Sequence, residues 1–263
     1  MSDLLESKVL RQRIRSGEFT APTSGLAAGY VQCNVVILPK QFADDFARFC
    51  ERNPKPCPLL ARSPGAGDPT LPTLGADIDI RRDVPRYRRW VNGECDREVI
   101  DLTSEWQEDY VTFALGCSFS FEEALLEADI EIRNISEGVN VPMYRTTSPC
   151  ETAGPFHSNL VVSMRPMTRA NAERATAICS RYPAVHGAPV HIGDPEVLGI
   201  ADLFQPDFGD AVTIKADEVP VFWACGVTPQ VALENAKLPL AYTHSPGHML
   251  VTDLLNTDLA EGS

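Results

Sequence analysis

Cys225 and Gly226 lie between a short apolar run, Val221-Phe222-Trp223-Ala224, and the pair Thr228-Pro229. The run suits a central strand. The pair suits a helix start, Thr228 closing a free backbone N–H as N-cap and Pro229 needing none. A thiol between the carboxyl end of a strand and a helix N-terminus meets unpaired N–H groups and the positive end of the helix dipole, which attract carboxylate or phosphate and lower the thiol pKa. Cys225 is therefore a candidate reactive group. Its bland reading is a small apolar filler, since free cysteine is often buried.

All five histidines fall after residue 156, and four stand in two Gly/Pro-rich turns, His186-Gly187-Ala188-Pro189-Val190-His191 and His244-Ser245-Pro246-Gly247-His248. Pro189 and Pro246-Gly247 break any helix across either pair, which excludes a helical HExxH zinc site. No metal is assigned, although a loop-built site from these histidines and Asp253 stays open. Imidazole titrates near working pH, so these four histidines are candidate acids and bases, with hydrogen-bonded turns as the structural alternative. Gln32 and Asn34 are polar residues inside an apolar run, and each needs a hydrogen-bond partner or a ligand if buried. Glu122 and Glu123 read first as charges favoured by a helix N-terminus. The arginines of RRDVPRYRR (81–89) could hold a carboxylate, or pair with neighbouring acids.

The 263 residues, 44% hydrophobic, can bury a full core. Thirty-six acidic against 23 basic residues give a formal charge of -13, which argues against nucleic acid or an anionic membrane surface as the main partner. Eight cysteines without a CxxC pair signal neither a zinc ribbon nor a thioredoxin-type site, and fit reduced thiols in a cytoplasm. The N-terminal stretch has no apolar signal core, and no run approaches the ~20 residues needed to span a bilayer. The phosphate loop GxxxxGK[ST], the dinucleotide fingerprint GxGxxG and the GxSxG elbow are all absent, so ATP-driven ligation, Rossmann-type chemistry and that hydrolase class lose support.

The elements that must position these residues follow from periodicity. Residues 3–17 predict an amphipathic helix. Strand, turn and helix recur at 31–52, 159–181 and 219–237, without a fixed sequence period, which supports an α/β class over all-α or all-β. The Pro/Gly-rich stretch 53–76 predicts an irregular loop, 104–117 and 120–129 two helices, the second with a Ser120/Glu123 capping box, and 130–135 a strand. The turns at 143–147, 163–168, 186–194, 223–228 and 244–248 are expected to line one cleft at the carboxyl ends of strands.

Nine ordered segments, among them GYVQCNVVILP (29–39), FALGCSFSFEEAL (113–125), VVSMRPM (161–167), YPAVHGAPVHIGDP (182–195), VPVFWACGVTPQ (219–230) and THSPGHMLVTD (243–253), resemble a bacterial hydro-lyase family whose animal relative is mitochondrial D-glutamate cyclase. The resemblance covers nearly the whole chain. It implies loss of water from D-glutamate to give 5-oxo-D-proline, and a three-layer α/β body with a second, smaller α+β domain. We expect the body at 1–112 with 205–263 and the smaller domain at 113–204.

That cyclisation needs a base, an acid, a carboxylate clamp and oxyanion donors. It requires no cofactor, since the amine is intramolecular. Arg145 or Arg165 offers a planar fork for the substrate carboxylate, and His186 and His191 are the expected base and acid. Cys225 with the N–H groups of Gly226 to Thr228 is expected to hold the γ-carboxyl, as donors or through a thioester, with Asn34 as a further substrate contact. His244, His248 and Asp253 would support them. The expected partner is a small carboxylate or amino acid, and a homo-oligomer is allowed. A metal-dependent hydratase or isomerase of a small organic acid, and a non-catalytic amino-acid or oxoproline binder, stay open as alternatives.

Overall fold

The computed structural model describes residues 6–260. Helix α1 (Ser7–Arg15) packs Leu10 and Ile14 beside Val251, while the first residues of the expected helix, Leu4 and Leu5 among them, lie outside the described residues. Strand β1 (Tyr30–Pro39) runs straight into α2 (Lys40–Arg52), where Pro39 ends the ladder and the spacing of Phe46 and Phe49 buries one helix face. Then come β2 (Leu59–Arg62), β3 (Tyr87–Val91), β4 (Glu94–Val99), β5 (Tyr110–Gly116), α3 (Phe119–Glu127) and α4 (Arg133–Glu137). The second half holds β6 (Met143–Pro149), β7 (Asn159–Thr168), α5 (Arg169–Cys179), β8 (His191–Ile192), β9 (Glu218–Ala224) and α6 (Val227–Ala236), and the chain returns through β10 (Ala241–His244) and β11 (Leu250–Leu255).

The mixed α/β class is the one expected, but every ladder among the described residues is antiparallel. One sheet has the order β2-β5-β1-β10-β3-β4, with β11 also on β1, and the other the order β6-β7-β9-β8. Pairing thus joins 30–116 to 241–255 and keeps 143–224 together, so β5 belongs to the larger sheet and β9 to the smaller one. Both memberships differ from the boundaries expected at 112 and 204. Antiparallel neighbours present opposite strand ends to each rim, so a cleft lined only by carboxyl ends does not form.

The two sheets repeat one unit. Cys33 faces Gly116 and Pro39 faces Tyr110 in the β1–β5 ladder; Val162 faces Ala224 and Thr168 faces Glu218 in β7–β9. Both β1 and β7 enter a helix without a break, at Lys40 and Arg169, and both β5 and β9 are followed two residues later by a helix, at Phe119 and Val227. The outer strands match too, β2 beside β5 as β8 beside β9, and β11 beside β1 as β6 beside β7. Residue types follow: Gly116-Cys117-Ser118-Phe119-Ser120-Phe121-Glu122 stands where the other half has Ala224-Cys225-Gly226-Val227-Thr228-Pro229-Gln230.

Several local expectations fail for tertiary reasons. Residues 110–116 form a strand rather than a helix, because Val111, Phe113 and Leu115 bury against α2 while Tyr110 and Ala114 bury on the opposite face. Within 53–76, Leu59–Arg62 adds an edge strand to β5. Residues 133–137 are a helical turn, closed by Gly138 at φ 69°. Helix α3 starts one residue before Ser120, whose hydroxyl has no partner, so the expected capping box is absent.

Candidate active site at the junction of the two sheets

Asn34, in the middle of β1, donates from Nδ2 to the Gly116 carbonyl at 2.9 Å and stands against Gly226. A Cβ on Gly226 would lie 2.5 Å from that amide nitrogen, so any other residue would push the Asn34 side chain aside. Across the junction the contact is returned. Arg165 of β7 donates from Nη1 to Ser163 at 3.0 Å and from Nη2 to Ser118 at 3.2 Å, Ser118 being the counterpart of Gly226.

Glu122 completes this cluster. Arg165 donates to its Oε1 from Nε at 3.0 Å and again from Nη2, and both side chains are buried. The guanidinium also lies 5.4 Å from the Phe121 ring centroid and 5.3 Å from that of Trp223, two rings that stack on one another. Burial pushes the Cys117 thiol up to about 12 and the Cys225 thiol up to about 11, Glu122 adding to the rise. Arg165 opposes it at Cys225 but does not win. The raised values keep both thiols protonated at neutral pH, which favours the hydrogen-bond donor over the thioester among the two roles expected of Cys225.

Arg165 was expected to clamp substrate, but every nitrogen of its fork is engaged by protein oxygens. His186, held at φ 83° after a 3-10 turn, has Nδ1 2.7 Å from the Lys55 carbonyl, which requires Nδ1–H and leaves Nε2 as the lone pair. Burial lowers its pKa to about 4, and Arg165 acts in the same direction. His186 is thus a neutral member of the cluster. His191 is not a member. It pairs with Phe222, on which it stacks at 5.9 Å, whereas Arg165 pairs with the next residue, Val221; side chains alternate along β9, so His191 and Arg165 occupy opposite faces.

The other expected site residues are placed elsewhere or serve the backbone. Thr228 is the second residue of α6, not its N-cap, and its hydroxyl accepts from the Val161 N–H at 3.0 Å, tying α6 to β7. His244 is buried in β10, where Nδ1 accepts the Val35 N–H at 3.1 Å, and burial lowers the pKa to about 4. His248 donates from Nδ1 to the Pro246 carbonyl at 2.9 Å. Asp253 accepts from Arg11 and Ser7, anchoring α1. Arg145 reaches a separate cavity. Among the described residues no group of three His, Cys, Asp or Glu could hold a metal ion.

A cavity of about 640 Å³ opens onto Glu122 from outside. Gln32, Phe119, Glu122, Glu123, Asn134 and Asn256 line it together with the 24–29 turn, and no basic side chain does. Asn256 donates from Nδ2 to Glu123 at 2.6 Å, which fixes its Oδ1 as an acceptor, buried and without a donor; the Oδ1 of Asn134 is likewise unpartnered. Two carboxylates and no basic side chain on a largely apolar wall favour a ligand group that donates hydrogen bonds and carries positive charge, and a primary ammonium answers that chemistry. Sequence reading missed Cys117, Ser118 and Glu122. The signal was the doubled pattern of cysteine, a hydroxyl three residues on, and Glu or Gln five residues on.

The family model described as D-glutamate cyclase matches residues 111–253. A chain from Verminephrobacter eiseniae that carries the description "Putative hydro-lyase" is 61% identical over 97% of this chain and 92% of its own length. Chains of the same description from Bordetella pertussis and Methylobacterium radiotolerans are 59% and 58% identical, over 94% and 95% of this chain and 88% and 92% of their own. A solved nitrogen repressor-like protein from Methanococcus jannaschii aligns at 12% identity over 89% of this chain and 90% of its own, with a TM-score of 0.39, a level at which neither fold nor function transfers.

Proposed function

This chain belongs to the D-glutamate cyclase family, and from that premise we propose that it is a hydro-lyase that closes D-glutamate to 5-oxo-D-proline with loss of water. The observation that carries the reading is the cavity bordered by Glu122 and Glu123 and by no basic side chain. Ring closure moves two protons from the α-ammonium to the departing γ-carboxylate oxygen, which leaves as water. The site must therefore relay protons without net uptake.

Glu122 suits that relay. Its carboxylate borders the cavity, so it can take a proton from the bound ammonium and return it to the leaving oxygen, while Arg165 holds it in place from behind. Glu123 would accept a further N–H bond of the amine. Protonated Cys117 and Cys225 favour hydrogen-bond donation at the junction over a thioester. Holding amine and carboxyl of one molecule together supplies up to ~7–11 kcal/mol of the barrier, which is why no ATP is required. The D configuration comes from the family description.

The test is incubation of the purified chain with D- and L-glutamate against the enzyme-free cyclisation under the same conditions. D-Glutamate is expected to yield a product lighter by one water faster than L-glutamate, and Glu122→Asp, which keeps the charge but retracts it, should lower kcat at least tenfold. If neither enantiomer is consumed above background while a different hydroxy or amino acid is dehydrated, the substrate is wrong and only the hydro-lyase class survives.

A further inference from the structure

The doubled unit creates a doubled cavity. Tyr30 opens β1 and lines the cavity beside Glu122; Asn159 opens β7 and lines a second cavity of about 410 Å³, as do the preceding residues, Gly29 in the first and Ser158 in the second. Glu123, fifth in α3, has its counterpart in Val231, fifth in α6. The charge has reversed. Where the first cavity carries two carboxylates, the second is lined by Arg145, Thr146, His157, Ser158, Asn159 and Asn235.

Arg145 is half-exposed, its guanidinium carbon 5.0 Å from the Phe208 ring centroid, and among the described residues only its Nη2 finds a side-chain acceptor, Glu234 at 3.2 Å. The ring fixes the plane of the fork while most of its donors stay free. Among the described residues no carboxylate lines this cavity, so nothing in its wall repels an anion at the Arg145 fork. We propose that this cavity is a second ligand site, specific for a small carboxylate held by the Arg145 fork, distinct from the Glu122 cavity. It goes beyond the proposed reaction and does not depend on it.

Glutarate distinguishes the two cavities, because it offers two carboxylates and no amine for the acceptors around Glu122. In isothermal titration calorimetry on the whole chain, glutarate should bind at a single site. Arg145→Gln, at an exposed side chain, should weaken binding at least tenfold. Glu234→Gln, which removes the competing acceptor, should tighten it at least twofold. Glu123→Gln, in the other cavity, should leave it unchanged. Absence of saturable binding at millimolar glutarate, binding that survives Arg145→Gln with undiminished affinity, or loss of binding in Glu123→Gln would each overturn the assignment.

Discussion

At the scale of single residues, the Arg165–Glu122 pair decides what the junction can do. Both side chains are buried, so removing either charge strands the other in low dielectric, at a cost of about 3–5 kcal/mol. Glu122→Gln and Arg165→Met should each lower stability by that order in urea denaturation. The double variant should lose clearly less than the sum, and none of the three should turn over substrate. Additive losses would mean that the pair is not coupled. The neutral histidines act on a different variable. His186 and His244 have folded pKa values of about 4 against an ordinary 6.5, so between those values the unfolded chain binds more protons and stability rises with pH. Their contribution is complete above pH 6.5 and falls away on acidification, by about 3 kcal/mol for each at pH 4. His186→Asn keeps a donor for the Lys55 carbonyl and tolerates the left-handed backbone, and should flatten the slope of stability against pH across this window. An unchanged slope would show that His186 is protonated in the folded chain.

At the scale of elements, each of the two strand-to-helix turns holds a glycine against a different obstacle. A Cβ on Gly226 meets the end of the Asn34 side chain, whereas one on Gly116 falls on the backbone carbonyl of Ala184. A side-chain amide can swing aside; a main-chain oxygen cannot without moving its turn, which carries His186 two residues on. Gly226→Ala should therefore cost about 1–2 kcal/mol, restored in part by adding Asn34→Ala, while Gly116→Ala should cost more and find no such rescue. Thermal unfolding of the four variants measures this. Equal losses at the two glycines would contradict the assigned obstacles. Helix α1 is fastened in another way, by fully buried Arg11 reaching Asp77, Asp253 and the Val251 carbonyl, so the charges of residues 77–83 serve the frame rather than a ligand.

At the scale of the whole molecule, the net charge of -13 opposes an anionic substrate. Screening that repulsion helps encounter, and the Debye length shrinks from about 30 Å at 0.01 M salt to about 8 Å at 0.15 M. With D-glutamate as substrate, kcat/KM should rise over this range with little change in kcat. A fall would mean that a local cationic path, not the global field, governs entry. No helix among the described residues is long and apolar enough to cross a membrane.

The α/β class and the strand-to-helix units at 31–52, 159–181 and 219–237 were legible in the sequence, because periodicity, proline and glycine act through neighbours along the chain. So was the family, which is written in motifs. Strand 110–116 was not legible, since its Val-Thr-Phe-Ala-Leu pattern fits either element until β1 and β2 flank it. Glu122 passed as a helix-end charge because its partner Arg165 is 43 residues away. His191 and Arg165 were grouped by type, and only the register on β9 puts a sheet between them. Charge and residue type are local properties; which face a side chain occupies, and which distant charge it meets, are set by pairing between strands, which the tertiary structure alone decides.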